Sequence, residues 1–267
     1  MKKSSSGDYL IQPAQNKENR EKLSTRDPHR NLPGRRLNPA RRAPPAAILF
    51  DMDGLLLDTE RIARESSRIT AQALGFAFTD ALAHAMIGLG SDALGRLFVA
   101  ELGDQFPFAD YQLMWNAKYR EMLAAGIPVR PGVREVLSVM RELGLPCAVA
   151  TSTHTPHAKQ KLEQAGILTH FDVVVGRDAV THGKPAPDVY LLAANRLGVD
   201  AKFCWAFEDS LPGLTAAVVS GARTHWVPDL APIHADQLPP GVETIESLHI
   251  VCEWLHANGD DRGEQGA

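Results

Sequence analysis

Two aspartates separated by one residue stand in the run Asp51-Met52-Asp53-Gly54, directly after an apolar stretch from Ala46 to Phe50. In extended chain the side chains of residues i and i+2 project the same way, so Asp51 and Asp53 face one spot while Met52 faces the other side. Two carboxylates held close repel each other unless a cation or a proton separates them, and a bound metal is therefore the first expectation. A calcium loop is disfavoured, because it needs an oxygen ligand at its fifth position and glycine at its sixth, where Leu55 and Leu56 stand here. An accidental surface pair is the other alternative.

Three more signals follow in chain order. Ala150-Thr151-Ser152-Thr153 offers hydroxyls and backbone N–H groups between an apolar run and a helical pattern, which suits a phosphate or a simple helix cap. Gly183-Lys184-Pro185-Ala186-Pro187-Asp188 uses two prolines to fix the approach of a lysine to a helix start, although an exposed loop lysine can equally do nothing. Phe207-Glu208-Asp209-Ser210 is a second acidic pair after an apolar run, and it too could be a helix cap.

The elements that must position these groups read as strands alternating with helices. Apolar runs begin at Ala46, Pro146, Phe171, Phe203 and Thr224, and helical patterns run from Gly132 to Leu143, Pro156 to Ala165, Pro187 to Leu197 and Pro212 to Ser220. That order predicts an α/β fold, a doubly wound parallel sheet whose ligands bind at the carboxyl ends of the strands. Residues ~62 to 128 break the rhythm with helical periodicity alone, predicting an inserted all-helical domain. Its helices are expected from Glu60 to Leu74, Thr79 to Met86, Ser91 to Leu102 and Ala109 to Ala124, and Met114, Trp115, Tyr119 and Met122 are read as its packing core. The expected division is a tail over 1–45, an α/β core over 46–64 and 129–256, the helical insert over 65–128, and a disordered C-terminal tail over 257–267.

The chain has 267 residues, 44% hydrophobic and 22% charged, which excludes collagen-like and wholly disordered classes. No apolar run approaches the ~18 to 20 residues that cross a bilayer. The charge is uneven. Residues 1–45 hold eleven basic and four acidic side chains, leaving seventeen basic against twenty-eight acidic in the remainder. The basic, polar segment 1–45 has no periodicity and is expected to be disordered; a targeting segment and an interaction arm are the alternatives. An acidic globule lacks the dense positive surface that nucleic acid requires, and neither a nucleic-acid nor a membrane partner is expected. Cys147, Cys204 and Cys252 are odd in number and without C-x-x-C spacing, so a disulfide framework and a zinc site are both disfavoured. Reduced thiols and the lack of a secretory apolar segment lead to the expectation of a cytoplasmic protein, acting as a monomer.

Taken together, a carboxylate pair, a hydroxyl, a lysine and a second carboxylate pair on one sheet edge resemble the haloacid dehalogenase-like superfamily, over residues ~46 to 250. The run from Asp51 to Glu60 and the helical insert after it are similar to its β-phosphoglucomutase-like branch, with a Rossmann-like core and a helical cap. The resemblance implies hydrolysis of a small phosphorylated metabolite through an aspartyl-phosphate, with Mg²⁺ as cofactor. Asp51 is then the nucleophile, and Asp53 the proton donor to the leaving oxygen and later the base for water. The metal is implied to be held by Asp51, Asp209 and, through its main-chain carbonyl, Asp53, with Glu208 beside it. Thr151, Ser152 and Lys184 are implied to bind phosphate, with Thr153 and His154 as further substrate contacts.

A sugar-phosphate mutase of the same branch holds a second phosphate with positive groups. At the corresponding positions this chain has Ser91 in place of an arginine, His154 in place of a lysine and Ala63 in place of a hinge histidine. Those departures favour a phosphatase over the mutase, and intact catalytic side chains disfavour a non-catalytic phosphate sensor. Substrate choice is expected to lie in the loop Gly88 to Asp92 and in Thr153 to Thr155.

Overall fold

The computed structural model describes residues 43–86, 91–230 and 233–263. The expected tail over 1–45 falls outside these residues except for Ala43, Pro44 and Pro45, of which Pro45 is buried against the core rather than loose. Of the loop Gly88 to Asp92 expected to choose the substrate, residues 88–90 also lie outside them.

Six strands form one wholly parallel sheet: β1 (Ala47–Phe50), β2 (Cys147–Ala150), β3 (Val173–Val175), β4 (Cys204–Glu208), β5 (Arg223–Trp226) and β6 (Glu243–Thr244), in the order β3-β2-β1-β4-β5-β6. β1, β2 and β4 are buried along their whole length, which is why they read as unbroken apolar runs rather than alternating ones. Alternate residues nevertheless separate to the two faces. Ile48, Phe50, Cys147, Val149, Trp205 and Phe207 join one hydrophobic cluster, and Ala47, Leu49, Ala148, Ala150, Cys204 and Ala206 join the other.

Helices cover both faces. α5 (Val133–Glu142), α6 (Thr155–Gln164) and α9 (His249–Gly263) supply the first cluster through Val136, Leu137, Leu162, Val251 and Trp254. α7 (Asp188–Arg196) and α8 (Leu211–Val219) supply the second, whose alanine-rich contacts let these helices lie close to the sheet. α9 continues through residue 263, so the C-terminal tail expected from 257 is helical up to that point. Val251, Trp254 and Leu255 anchor the helix, and propagation from an anchored turn needs little further burial.

Between β1 and α5 the described residues form four further helices: α1 (Thr59–Ala73), α2 (Asp80–Met86), α3 (Ser91–Leu102) and α4 (Phe108–Ala125). This is the inserted helical cap. Its own cluster is built on Ala71, Leu82, Phe98, Phe106 and Tyr111. The expected packing core of the insert needs correction. Trp115 joins this cluster, but Met114 is 39% exposed, and Tyr119 and Met122 pack on the cluster of the α/β core. The second half of α4 therefore packs on the sheet domain as well as on α1, where Ser66 Oγ donates to Met122 Sδ at 3.3 Å. The chain leaves and re-enters the core through two antiparallel segments, where Asp58 N–H donates to Pro128 O (2.9 Å) and Arg130 N–H to Leu56 O (3.0 Å).

Candidate active site

The chain runs from β1 to β2 and β3 on one side, then crosses to β4 and β5 on the other. The carboxyl ends of β1 and β4 therefore flank the switch point where open α/β sheets bind ligands. Asp51 follows β1, and its N–H donates to Phe207 O at 3.0 Å. Glu208 ends β4, with Asp209 next to it. Oxygens of Asp51, Glu208 and Asp209 lie within 4.8 Å of one another, all three residues buried.

Lys184 enters this cluster from the loop before α7, its side chain 4% exposed. Its Nζ donates to Asp51 Oδ1 at 2.5 Å and to Glu208 Oε1 at 2.6 Å, and it lies 5.0 Å from the centre of the Tyr190 ring. Tyr190 Oη also donates to Glu208 Oε1 (2.9 Å), while Glu208 Oε2 accepts from the N–H groups of Asp209 and Ser210 and from Ser210 Oγ, each at 3.0 Å. Five donors saturate Glu208, which thus organises its neighbours and has little capacity left for a ligand. Asp209 differs: its Oδ1 is buried and has no hydrogen-bond partner among the described residues.

Three carboxylates against one ammonium leave a buried excess of negative charge. Burial above all, together with Glu208 and Asp53, pushes the Asp51 carboxyl up to about 8 against the pull of Lys184. Asp209 is raised well above the usual carboxylate range by burial and by Glu208 and Asp51. Burial works against the Lys184 ammonium, but Asp51 and Glu208 outweigh it and raise its pKa. An all-oxygen donor set with an unpartnered carboxylate oxygen and two uncompensated charges suits a hard divalent cation such as Mg²⁺. The fit extends to the backbone. Gly54 has φ +90°, and a Cβ there would stand 2.3 Å from Asp209 Oδ2, so that only glycine leaves this oxygen its place.

The side chain of Asp53 lies apart from that group. Its Oδ1 accepts from Thr59 Oγ1 (2.8 Å) and Lys161 Nζ (2.7 Å), and its Oδ2 from Thr153 Oγ1 (2.7 Å). Thr151 is buried at the end of β2, its N–H bound to Val175 O and its Oγ1 accepting from Thr153 N–H (3.1 Å). Ser152 is exposed beside it. His154 is exposed at the start of α6 with its ring stacked against His157, and His182 is exposed against Asp188 (3.2 Å). The structure thus gathers Asp51, Lys184, Glu208 and Asp209, sets Asp53 and Thr153 beside them in a second group, and leaves His154 on the surface.

Thr59, Lys161 and Tyr190 were not singled out in the sequence. Lys161 carried a legible signal: it sits three residues after Ala158 and next to Leu162, both fully buried, so a charged side chain occupies the inward edge of α6.

A cavity of about 420 Å³ opens in the helical insert, lined by polar Glu60, Arg64, Gln112 and Asn116 among aromatic groups including Phe108 and Trp115. Glu60 connects it to the carboxylates: its own carboxyl is raised by burial and by the charge of Asp53. Among the described residues no helix is long and apolar enough to cross a membrane.

The family described as haloacid dehalogenase-like hydrolase matches residues 45–221. A phosphorylated carbohydrates phosphatase of Thermotoga maritima is 31% identical over 175 residues, covering 66% of this chain and 81% of that protein. (DL)-glycerol-3-phosphatase 2 of Arabidopsis thaliana is 33% identical over 191 residues, covering 68% and 79%. Among solved structures, a mutant CbbY of Rhodobacter sphaeroides in complex with xylulose-(1,5)bisphosphate superimposes with a TM-score of 0.60 at 29% identity, covering 77% of this chain and 95% of that one.

Proposed function

We propose that this chain, which belongs to the haloacid dehalogenase-like hydrolases, is a Mg²⁺-dependent phosphatase of small phosphorylated sugars or polyols that works through an aspartyl-phosphate. The observation that carries the reading is the contact of Asp51 with the buried Lys184 ammonium at the switch point, beside an Asp209 oxygen left without a partner. Relatives that act on phosphorylated carbohydrates and glycerol phosphate support the substrate class.

The reaction follows from the chemistry of these groups. The Asp51 carboxylate attacks phosphorus and forms the acyl phosphate while the ester P–O bond breaks. Asp53 protonates the departing oxygen; it then takes a proton from the water that attacks the acyl phosphate, releasing inorganic phosphate and restoring Asp51. Lys184 spreads positive charge over Asp51 and the transferring phosphoryl oxygens, which Thr151 and the N–H groups around Ser152 also receive. Asp51 and Asp209 would hold Mg²⁺, whose charge would offset the repulsion between the substrate dianion and the carboxylates. Glu208 keeps Lys184 in place.

The cavity next to Glu60 is read as the chamber for the leaving group, its polar walls matched to hydroxyls. Ala63 also lines it, neither Ala63 nor the exposed His154 provides the fixed positive charge that a mutase needs for a second phosphate, and the Arg64 guanidinium of the same wall is paired with Asp80. The cytoplasm is proposed as the site of action on the strength of three free cysteines.

The test is release of phosphate from a panel of sugar, polyol and nucleoside phosphates with Mg²⁺ and with a chelator. Wild-type turnover with Mg²⁺ is expected, and Asp51→Asn should remove it by at least ~10³-fold, since the other carboxylate on Lys184, Glu208, is already saturated by its donors. Undiminished turnover in that variant would overturn the assignment.

A further inference from the structure

The Asp53 side chain has three donors, Thr59, Thr153 and Lys161, none of them shared with Asp51, Glu208 or Asp209, and the charged one is Lys161. Thr59 and Thr153 donate to Asp53 through neutral hydroxyls, whereas Lys161 donates through a charged ammonium, the stronger kind of bond. The Lys161 side chain is 14% exposed, and a lysine so far removed from water is stable there only because Asp53 lies 2.7 Å away.

Lys161 also reaches the helical insert. Its Nζ lies 3.4 Å from Tyr119 Oη and 5.7 Å from the centre of that ring. Tyr119 stacks on Trp115, with centroids 4.8 Å apart and planes 11° apart. Trp115 Nε1 donates to Ser67 Oγ (2.9 Å) and Ala63 O (3.2 Å), and Trp115, Ser67 and Ala63 all line the leaving-group cavity. A continuous set of contacts therefore runs from the wall of that cavity, through Tyr119 and Lys161, to Asp53.

We propose that Lys161 is a positioning residue that fixes the Asp53 carboxylate relative to the leaving group and ties that position to the cap through Tyr119. The inference rests on the reading of Asp53 as proton donor to the ester oxygen. Lys161 does not touch the transferring phosphoryl group; it acts through Asp53. Its removal should consequently slow substrates whose leaving oxygen must be protonated. An alkoxide needs that proton as the P–O bond breaks, whereas p-nitrophenolate departs without it.

The experiment compares Lys161→Met and Lys161→Arg with the wild type on p-nitrophenyl phosphate and on an alkyl phosphate that the wild type hydrolyses. It is paired with a crystal structure of Lys161→Met. In that variant kcat on the alkyl phosphate is expected to fall about tenfold or more, and kcat on p-nitrophenyl phosphate less than about threefold, with KM within about twofold for both. Lys161→Arg should regain most of the alkyl phosphate activity. Asp53 in the Lys161→Met crystal should leave at least one of its two threonine partners. Equal losses on both substrates would show a merely structural lysine and overturn the proposal. So would no loss at all, or an Asp53 still bonded to Thr59 and Thr153 in the variant crystal. A wild type that hydrolyses no phosphoester would instead overturn the phosphatase reading, and this proposal with it.

Discussion

At the scale of single residues, the site is held as much by what Gly54 lacks as by what its neighbours supply. A methyl group on Gly54 would meet Asp209 Oδ2 at 2.3 Å and Asp209 Cγ at 2.9 Å, and φ +90° already disfavours any side chain. Asp209 cannot retreat freely, because it is buried and its carbonyl accepts from Trp226 Nε1 at 3.2 Å. Gly54→Ala should therefore cost about 1–3 kcal/mol of stability and shift the Mg²⁺ concentration for half-maximal activity upward by at least about tenfold. Thermal unfolding and a Mg²⁺ titration of activity check the two effects separately; an unchanged Mg²⁺ requirement would show that Asp209 is not a ligand. Asp51, Glu208 and Asp209 were legible in sequence because acidic side chains at the ends of buried strands are uncommon and chemically specific, and Lys184 because Pro185 and Pro187 fix it ahead of a helix start. Lys161 and Tyr190 were not read, because each meets its partner only once a helix has been rotated and docked against a sheet edge.

At the scale of elements, the joint between β4 and α8 shows how a turn can serve two purposes. Ser210 caps α8, its Oγ accepting from Gly213 N–H at 3.2 Å, and the same hydroxyl donates to Glu208 Oε2 at 3.0 Å. Reading the acidic pair before Ser210 as either a cap or a functional site posed a choice that the structure does not make: the serine caps and the glutamate is the buried anion that holds Lys184. Ser210→Ala should cost about 1–2 kcal/mol, since it removes a helix cap and one donor to a fully buried carboxylate while two backbone N–H donors remain. Urea unfolding measures this, and a loss below a few tenths of a kcal/mol would mean that the cap is dispensable. The long central strands were recognisable from their apolar runs and α1 from its periodicity. β6 was not, because its two residues are half-buried or exposed and leave no pattern. The second half of α4 was misassigned for a related reason: periodicity shows that one face is apolar without showing which domain covers it.

At the scale of the whole molecule, the helical insert joins the α/β core through two chain crossings, and one carboxylate touches both. Asp229 follows β5, with a side chain only 2% exposed. Its Oδ1 lies 3.1 Å from Arg61 Nη1 in α1 and 2.6 Å from Arg130 Nη1, where the chain returns from the insert. Arg61 is half exposed and also pairs with Asp58 at 2.8 Å, so water and a second partner compensate it if Asp229 is lost. Arg130 is 15% exposed and is held otherwise by a long contact to Pro228 O at 3.4 Å, so it bears most of the cost. Removing one partner of a buried ion pair typically costs about 3–5 kcal/mol. The partial exposure of Arg61 brings the expectation for Asp229→Ala to about 2–3 kcal/mol, read by chemical denaturation. The position of the pair adds a functional consequence. The cavity proposed for the leaving group includes Glu60 and Leu230, the immediate neighbours of Arg61 and Asp229, so loosening this junction should raise KM for a sugar or polyol phosphate several-fold. kcat should change less, because Asp51, Lys184 and Glu208 are fixed within the sheet domain alone. Asp229→Asn, which keeps the shape but not the charge, separates the two contributions. If the amide restores stability but not KM, charge at the junction governs how the insert meets the core; if it restores both, packing alone does.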